Sequence, residues 1–175
     1  MGAEANPIAR PEDQTGSHPY VREGIRAGVV GASVVAVFFL LIDVAAQRPL
    51  ATPNALGAAL FLGEPPDLSR ALSAPLIVGY TAAHGTVFIG FAGVAATLLL
   101  GFPRIELSAP VLLGIGLGLF AALAAFFFML TLVTDLSAWG MLGVGRVAGA
   151  NALAAAGMTA SLVHGRRQAR RRPDA

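Results

Sequence analysis

Cysteine is absent from the 175 residues, which excludes disulfides, thiolate catalysis, cysteine-ligated zinc and iron–sulfur clusters. It also leaves the redox compartment unread. Lysine is absent as well, so all twelve basic residues are arginine. Charge of either sign is scarce: 13% of residues are charged against 55% hydrophobic, and the mean hydropathy is +0.70. A soluble domain has a different balance, and the lipid bilayer is the expected solvent. Catalytic patterns are missing too. No HExxH, GxSxG or Walker loop occurs, and no acidic pair stands at metal spacing on one helix. No catalytic residue and no metal site is therefore expected.

What the chain does have is long apolar runs with few charges. They extend over about 24–46, 75–100, 109–134 and 139–163, each close to or above the roughly 20 residues that cross a hydrocarbon core as a helix. The expected fold is an all-α integral membrane protein, a four-helix transmembrane bundle. The membrane domain covers 22–164, between a polar, proline-containing tail at 1–21 and a basic tail at 165–175. The first run has an alternative reading as a secretory signal, because Val44-Ala45-Ala46 resembles a cleavage site behind Arg22 and Arg26. Its apolar stretch is longer than the roughly 7–15 residues of such a signal.

Arginine placement sets the expected orientation. With four spans, nine arginines fall on the face that carries both termini, and Arg48 and Arg70 fall on the other. Arginine in short loops is retained in the cytoplasm, so both ends are expected inside, in a bacterial inner membrane. Arginine-only usage with abundant Ala and Gly fits a GC-rich bacterial genome by association. The terminal cluster Arg166, Arg167, Arg170, Arg171 and Arg172 suits an anionic lipid surface better than nucleic acid.

The single long connection, 47–74, is too apolar between Leu50 and Leu62 to be a plain solvated linker. Thr52 followed by Pro53 reads as a helix N-cap with proline at the first helical position, and Gly63 with Pro65-Pro66 reads as the stop. A short periplasmic interfacial helix over about 53–62 is expected, either packed over the bundle or re-entrant. Glycines recur at four-residue spacing, Gly24 with Gly28 and Gly114 with Gly118 among them, as helices that approach closely in lipid require. Phe126, Phe127 and Phe128 read as packing or lipid-facing bulk.

The informative residues are polar groups inside the spans: Asp43, His84 and Arg146, with Tyr80, Thr81 and Asn151 as neutral companions. By helical rise all lie in the outer half, and Tyr80 and His84 share a helix face. One interhelical polar cluster is expected. As structure, Asp43 pairs with Arg146, Asp135 being the other acid near its depth, and His84 bonds a neighbouring helix. As function, the cluster is a proton relay, an ion pathway or a small-ligand site. A lone mid-helix histidine also raises haem ligation, although His18 and His164 lie at other depths. No cofactor is otherwise expected.

The segments Arg22-Glu23-Gly24-Ile25-Arg26-Ala27-Gly28, Arg48-Pro49-Leu50-Ala51-Thr52-Pro53 with Leu56-Gly57, and Gly79-Tyr80-Thr81-Ala82-Ala83-His84 resemble a group of small four-span bacterial membrane proteins. The resemblance covers roughly 22–135 and implies topology, with no activity or site residues attached. Two functional classes follow. The first is a non-catalytic membrane subunit or scaffold packed against a larger inner-membrane complex or against copies of itself. The second is a small transporter or channel, proton-linked or not, built on the polar layer.

Overall fold

A computed structural model describes residues 19–101, 106–134 and 138–171. Every regular element among them is an α-helix: α1 (Pro19–Ala45), α2 (Ala51–Leu62), α3 (Ala74–Gly101), α4 (Ala109–Thr134), α5 (Ala138–Leu142) and α6 (Val144–Arg171). Helices are the expected outcome for apolar runs in lipid, where each backbone group must find its partner within the segment. Three of them, α1, α3 and α4, are long and apolar enough to cross a membrane. The protein is thus an α-helical membrane protein by length and composition.

The run read as a fourth span, 139–163, is divided. Helix α5 stops at Leu142, Gly143 takes φ 79°, and α6 starts at Val144. That backbone conformation costs an L-residue about 1–2 kcal/mol and glycine very little. At the other end α6 does not stop near 163 but continues to Arg171, since arginine is a good helix former, no proline intervenes and Gly165 stays helical. The basic tail is therefore mostly helix. Likewise α1 begins at Pro19, inside the segment read as a polar tail, with proline at a first-turn position that needs no N–H.

Helix α1 is the central post. It packs along α3 on one side and α6 on the other, while α4 leans on α6 and only lightly on α3. The α1–α3 seam is close because it is built from small residues. A Cβ on Gly24 would stand 2.7 Å from Gly93 Cα, and one on Gly28 would stand 2.6 Å from the Ile89 nitrogen. Gly24 and Gly28 thus serve packing within one chain, as expected. Gly114 and Gly118 face open space.

Helix α2 differs from its expectation in its start. It begins at Ala51, with Leu50 as N-cap in the left-handed region and no side-chain cap from Thr52. Eight of its twelve residues are buried, and it packs chiefly on α3 and more lightly on α1. Asp43, near the end of α1, supplies the cap that Thr52 was expected to supply. Its carboxylate accepts the Thr52 N–H at 2.8 Å and the Thr52 hydroxyl at 2.7 Å. Pro53 costs nothing there, because the first turn's N–H groups have no intrahelical partner. Asn54 ties the far side: its amide donates to the Ala71 carbonyl and its oxygen accepts the Ser73 N–H. Gly57 lets α2 touch α3, since a Cβ there would sit 2.5 Å from the Leu76 carbonyl oxygen. Gly63 ends the helix at φ 68° as expected.

The α1–α2 corner carries two non-glycine residues at positive φ, Gln47 at 59° and Leu50 at 66°. Each costs about 1–2 kcal/mol relative to an ordinary conformation. Leu50→Gly should therefore stabilise the protein by about 1 kcal/mol in a denaturant titration in detergent. A destabilisation would mean that the exposed Leu50 side chain contributes more than its backbone costs. Beyond α2, Asp67 accepts from the Ser69 hydroxyl and N–H, and Arg70 pairs with Glu64. Chiefly the Ser69 hydroxyl bond, then its N–H bond, hold the Asp67 carboxyl below its usual range.

Candidate functional site

Three cavities meet around Phe39. The inner one, about 270 Å³, lies between α1, α3, α4 and α6 and is closed at one end by Leu56 and Leu60 of α2. The outer one, about 460 Å³, is lined by Asp43, Arg48, Thr52 and Arg146. A third, about 170 Å³, runs past Asp43, Pro53, Tyr80, Thr81 and His84. Phe39 lines all three. The single polar cluster read from the sequence is therefore resolved into adjoining compartments.

The inner cavity is apolar with a few polar groups, the usual character of a small-molecule site. On α3, Tyr80, His84 and Phe88 fall at i, i+4 and i+8 and form a ladder of rings. Tyr80 stacks on His84 at a centroid separation of 5.7 Å, and His84 meets Phe88 at 4.6 Å. The ladder packs one face of the imidazole on each neighbour, and Nε2 of His84 is buried with no hydrogen-bond partner. Opposite it, Asn151 of α6 lines the cavity and is 9% exposed. Neither its amide nor the Tyr80 hydroxyl bonds any described residue. From α4, Thr131 lines the cavity while its hydroxyl donates to the Phe128 carbonyl at 2.7 Å. Phe126 and Phe127, read as bulk, are cavity walls, and Phe126 is also 40% exposed on the outside of the protein.

In the outer cavity the expected Asp43–Arg146 pair is not formed. Asp43 is 4% exposed and directs both carboxylate oxygens at Thr52. Arg146 is exposed. The break at Gly143 places it in the first turn of α6, where it lines the outer cavity together with Met141 and Leu142. Asp135, the other acid considered for it, lies outside the described residues. Thr81 is exposed and bonds its own helix, its hydroxyl donating to the Ile77 carbonyl at 2.7 Å. Of the expected cluster, then, Tyr80, His84 and Asn151 share the inner cavity, whereas Asp43 and Arg146 share the outer one.

The arginines expected at a lipid surface divide as well. Arg166 is 3% exposed, beside Gly165, whose Cα is covered by Glu23 of α1. Glu23 is itself buried, 3.6 Å from exposed Arg22, with one carboxylate oxygen lacking a hydrogen bond. Arg167 is exposed, Arg170 and Arg171 belong to the last turn of α6, and Arg172 lies outside the described residues. Two residues were missed by sequence reasoning. Asn54 carried a signal, an amide inside an otherwise apolar run, and Phe39 carried none.

No family model, no curated protein and no solved structure matches the chain. Its class accordingly rests on its own helices, and its chemistry on the cavities.

Proposed function

We propose that the chain is a four-span bacterial inner-membrane protein with both termini in the cytoplasm, and that it binds a small molecule between its helices without catalysing a reaction. At 28 residues, α6 is about 42 Å long by helical rise, enough to serve as the fourth span. Its buried face of Ala150, Asn151, Ala154, Ala155 and Met158 turns inward, and its arginines stand at its two ends. The observation that carries the binding reading is Asn151, nine-tenths buried in the lining of the inner cavity, its amide without a hydrogen bond to any described residue. A buried amide without a hydrogen bond costs about 1–3 kcal/mol, and a ligand that bonds it recovers that cost.

The test is a filled cavity. Ala83 lines it, so Ala83→Phe should occupy the space. The wild-type protein, purified in mild detergent, should carry a small-molecule mass in native mass spectrometry that the Ala83→Phe protein lacks. Wild type and variant alike without ligand, and unaffected by added lipophiles, would sink the reading. A C-terminal reporter fusion active only in the periplasm would overturn the topology.

A second reading, the subunit or scaffold, is favoured by one feature. Between α3 and α4 a groove of about 580 Å³ opens along Gly114 and Gly118, small residues of the kind that let another helix approach closely. Partners recovered at fixed stoichiometry, and lost on Gly118→Leu, would support it.

A further inference from the structure

The inner cavity carries more information than the existence of a ligand. Three groups of its lining residues have no hydrogen bond to a described residue: the Tyr80 hydroxyl and the Asn151 amide, which offer donors from different helices, and Nε2 of His84 in the ring ladder. No charged residue among the described ones lines it, so a charged ligand would lie among them uncompensated at a cost of several kcal/mol. Its walls are rich in rings: Phe39, Tyr80, His84, Phe88, Phe126 and Phe127. Flat aromatic walls favour a planar guest by offset stacking. Its size, about 270 Å³, exceeds the roughly 150 Å³ cavity that holds a benzene and suits a head of one or two rings. On α4, Phe126 lines the cavity and is also 40% exposed, so the cavity's edge lies there.

From these observations we infer that the inner cavity binds the head of a neutral lipophilic ring carbonyl compound, of the quinone class. The carbonyl oxygens accept from Tyr80 and Asn151, and the tail leaves past Phe126 into the bilayer. The inference rests on the binding reading above and adds to it the chemistry of the ligand. Arg48 and Arg146 lie in the adjoining compartment beyond Phe39 and Leu142, so an acidic amphiphile is the competing guest.

Three probes that share a ten-carbon chain separate these ideas on the full chain in lipid nanodiscs, with protein-free discs as the blank. They are decylubiquinone, decylbenzene and decanoate. Decylubiquinone should bind saturably at one site. Asn151→Leu and Tyr80→Phe should each weaken it about tenfold, the worth of one hydrogen bond of about 1.4 kcal/mol. Decylbenzene, with a ring and no carbonyl, should bind the wild type at least about tenfold more weakly than the quinone and should not be weakened by Asn151→Leu. Tyr80→Phe is isosteric apart from the hydroxyl, so it reports even if Asn151→Leu does not fold. Equal affinity for quinone and decylbenzene, with both variants indifferent, would overturn the carbonyl assignment while leaving a binding cavity. Saturable decanoate binding abolished by Arg146→Ala would overturn it in favour of an acidic guest. Saturable binding of none of the three would remove both the assignment and the binding reading beneath it.

Discussion

Gly28→Leu should abolish the folded protein. A Cβ at this position already meets the Ile89 backbone of α3, and backbone within two packed helices cannot give way locally. Even Gly28→Ala forces α1 and α3 apart, and overpacking of this kind costs about 1–3 kcal/mol. Leucine adds three further carbons along the most extensive helix seam in the protein. The expected result is loss of the monodisperse peak in detergent for Gly28→Leu, with a lowered melting temperature for Gly28→Ala. Gly85 and Gly90 of α3 are the controls, because a Cβ at either meets nothing within 4 Å. There an alanine should be neutral or stabilising by up to about 1 kcal/mol through helix propensity. If Gly28→Ala and Gly85→Ala melt alike, the close α1–α3 approach is wrong.

Asp43→Ala should cost about 3 kcal/mol, the second large effect. The change removes two hydrogen bonds to a charged acceptor and leaves the Thr52 N–H and hydroxyl buried without partners. Bonds to charged groups contribute about 1.5–3 kcal/mol each, and an orphaned buried donor adds to the loss. Asp43→Asn keeps an acceptor for the Thr52 N–H and should lose only about 1 kcal/mol. Hydrogen exchange should rise at Thr52 and Asn54 in the alanine variant. Were Asp43 instead the counter-ion of Arg146, Arg146→Ala would be as damaging as Asp43→Ala, and the double variant no worse than either. The geometry predicts instead that Arg146→Ala is nearly silent for stability, since the residue is exposed.

The helical membrane class was legible because it depends only on run length and on the scarcity of charge. The Gly24 and Gly28 contacts were legible for a similar reason, since four-residue spacing already fixes which residues share a face. The helix break ahead of Arg146 was not, because a glycine in a run of Gly140, Gly143 and Gly145 reads as tolerated until the backbone shows which one takes a positive φ. The partner of Asp43 was missed because a buried acid was weighed against the nearest cation, whereas a helix start nine residues along the chain offered two donors. The cavity was half legible. Tyr80 and His84 declare a shared face by spacing, but Asn151 joins them only through the way α6 packs on α1, and Phe39 and Thr131 look like any other residues of their runs.

The corner between α1 and α2 has a consequence for how the molecule is assembled. Asp43 and Thr52 are close along the chain, so their bonds can form while the later helices are still being made. Contacts so local close quickly, because little loop entropy is lost in making them. The end of the inner cavity covered by Leu56 and Leu60 is thus set by the first third of the polypeptide, and the α4 and α6 walls are added afterwards. A cavity built in that order is roofed before it is walled, and α6 is the last side to close.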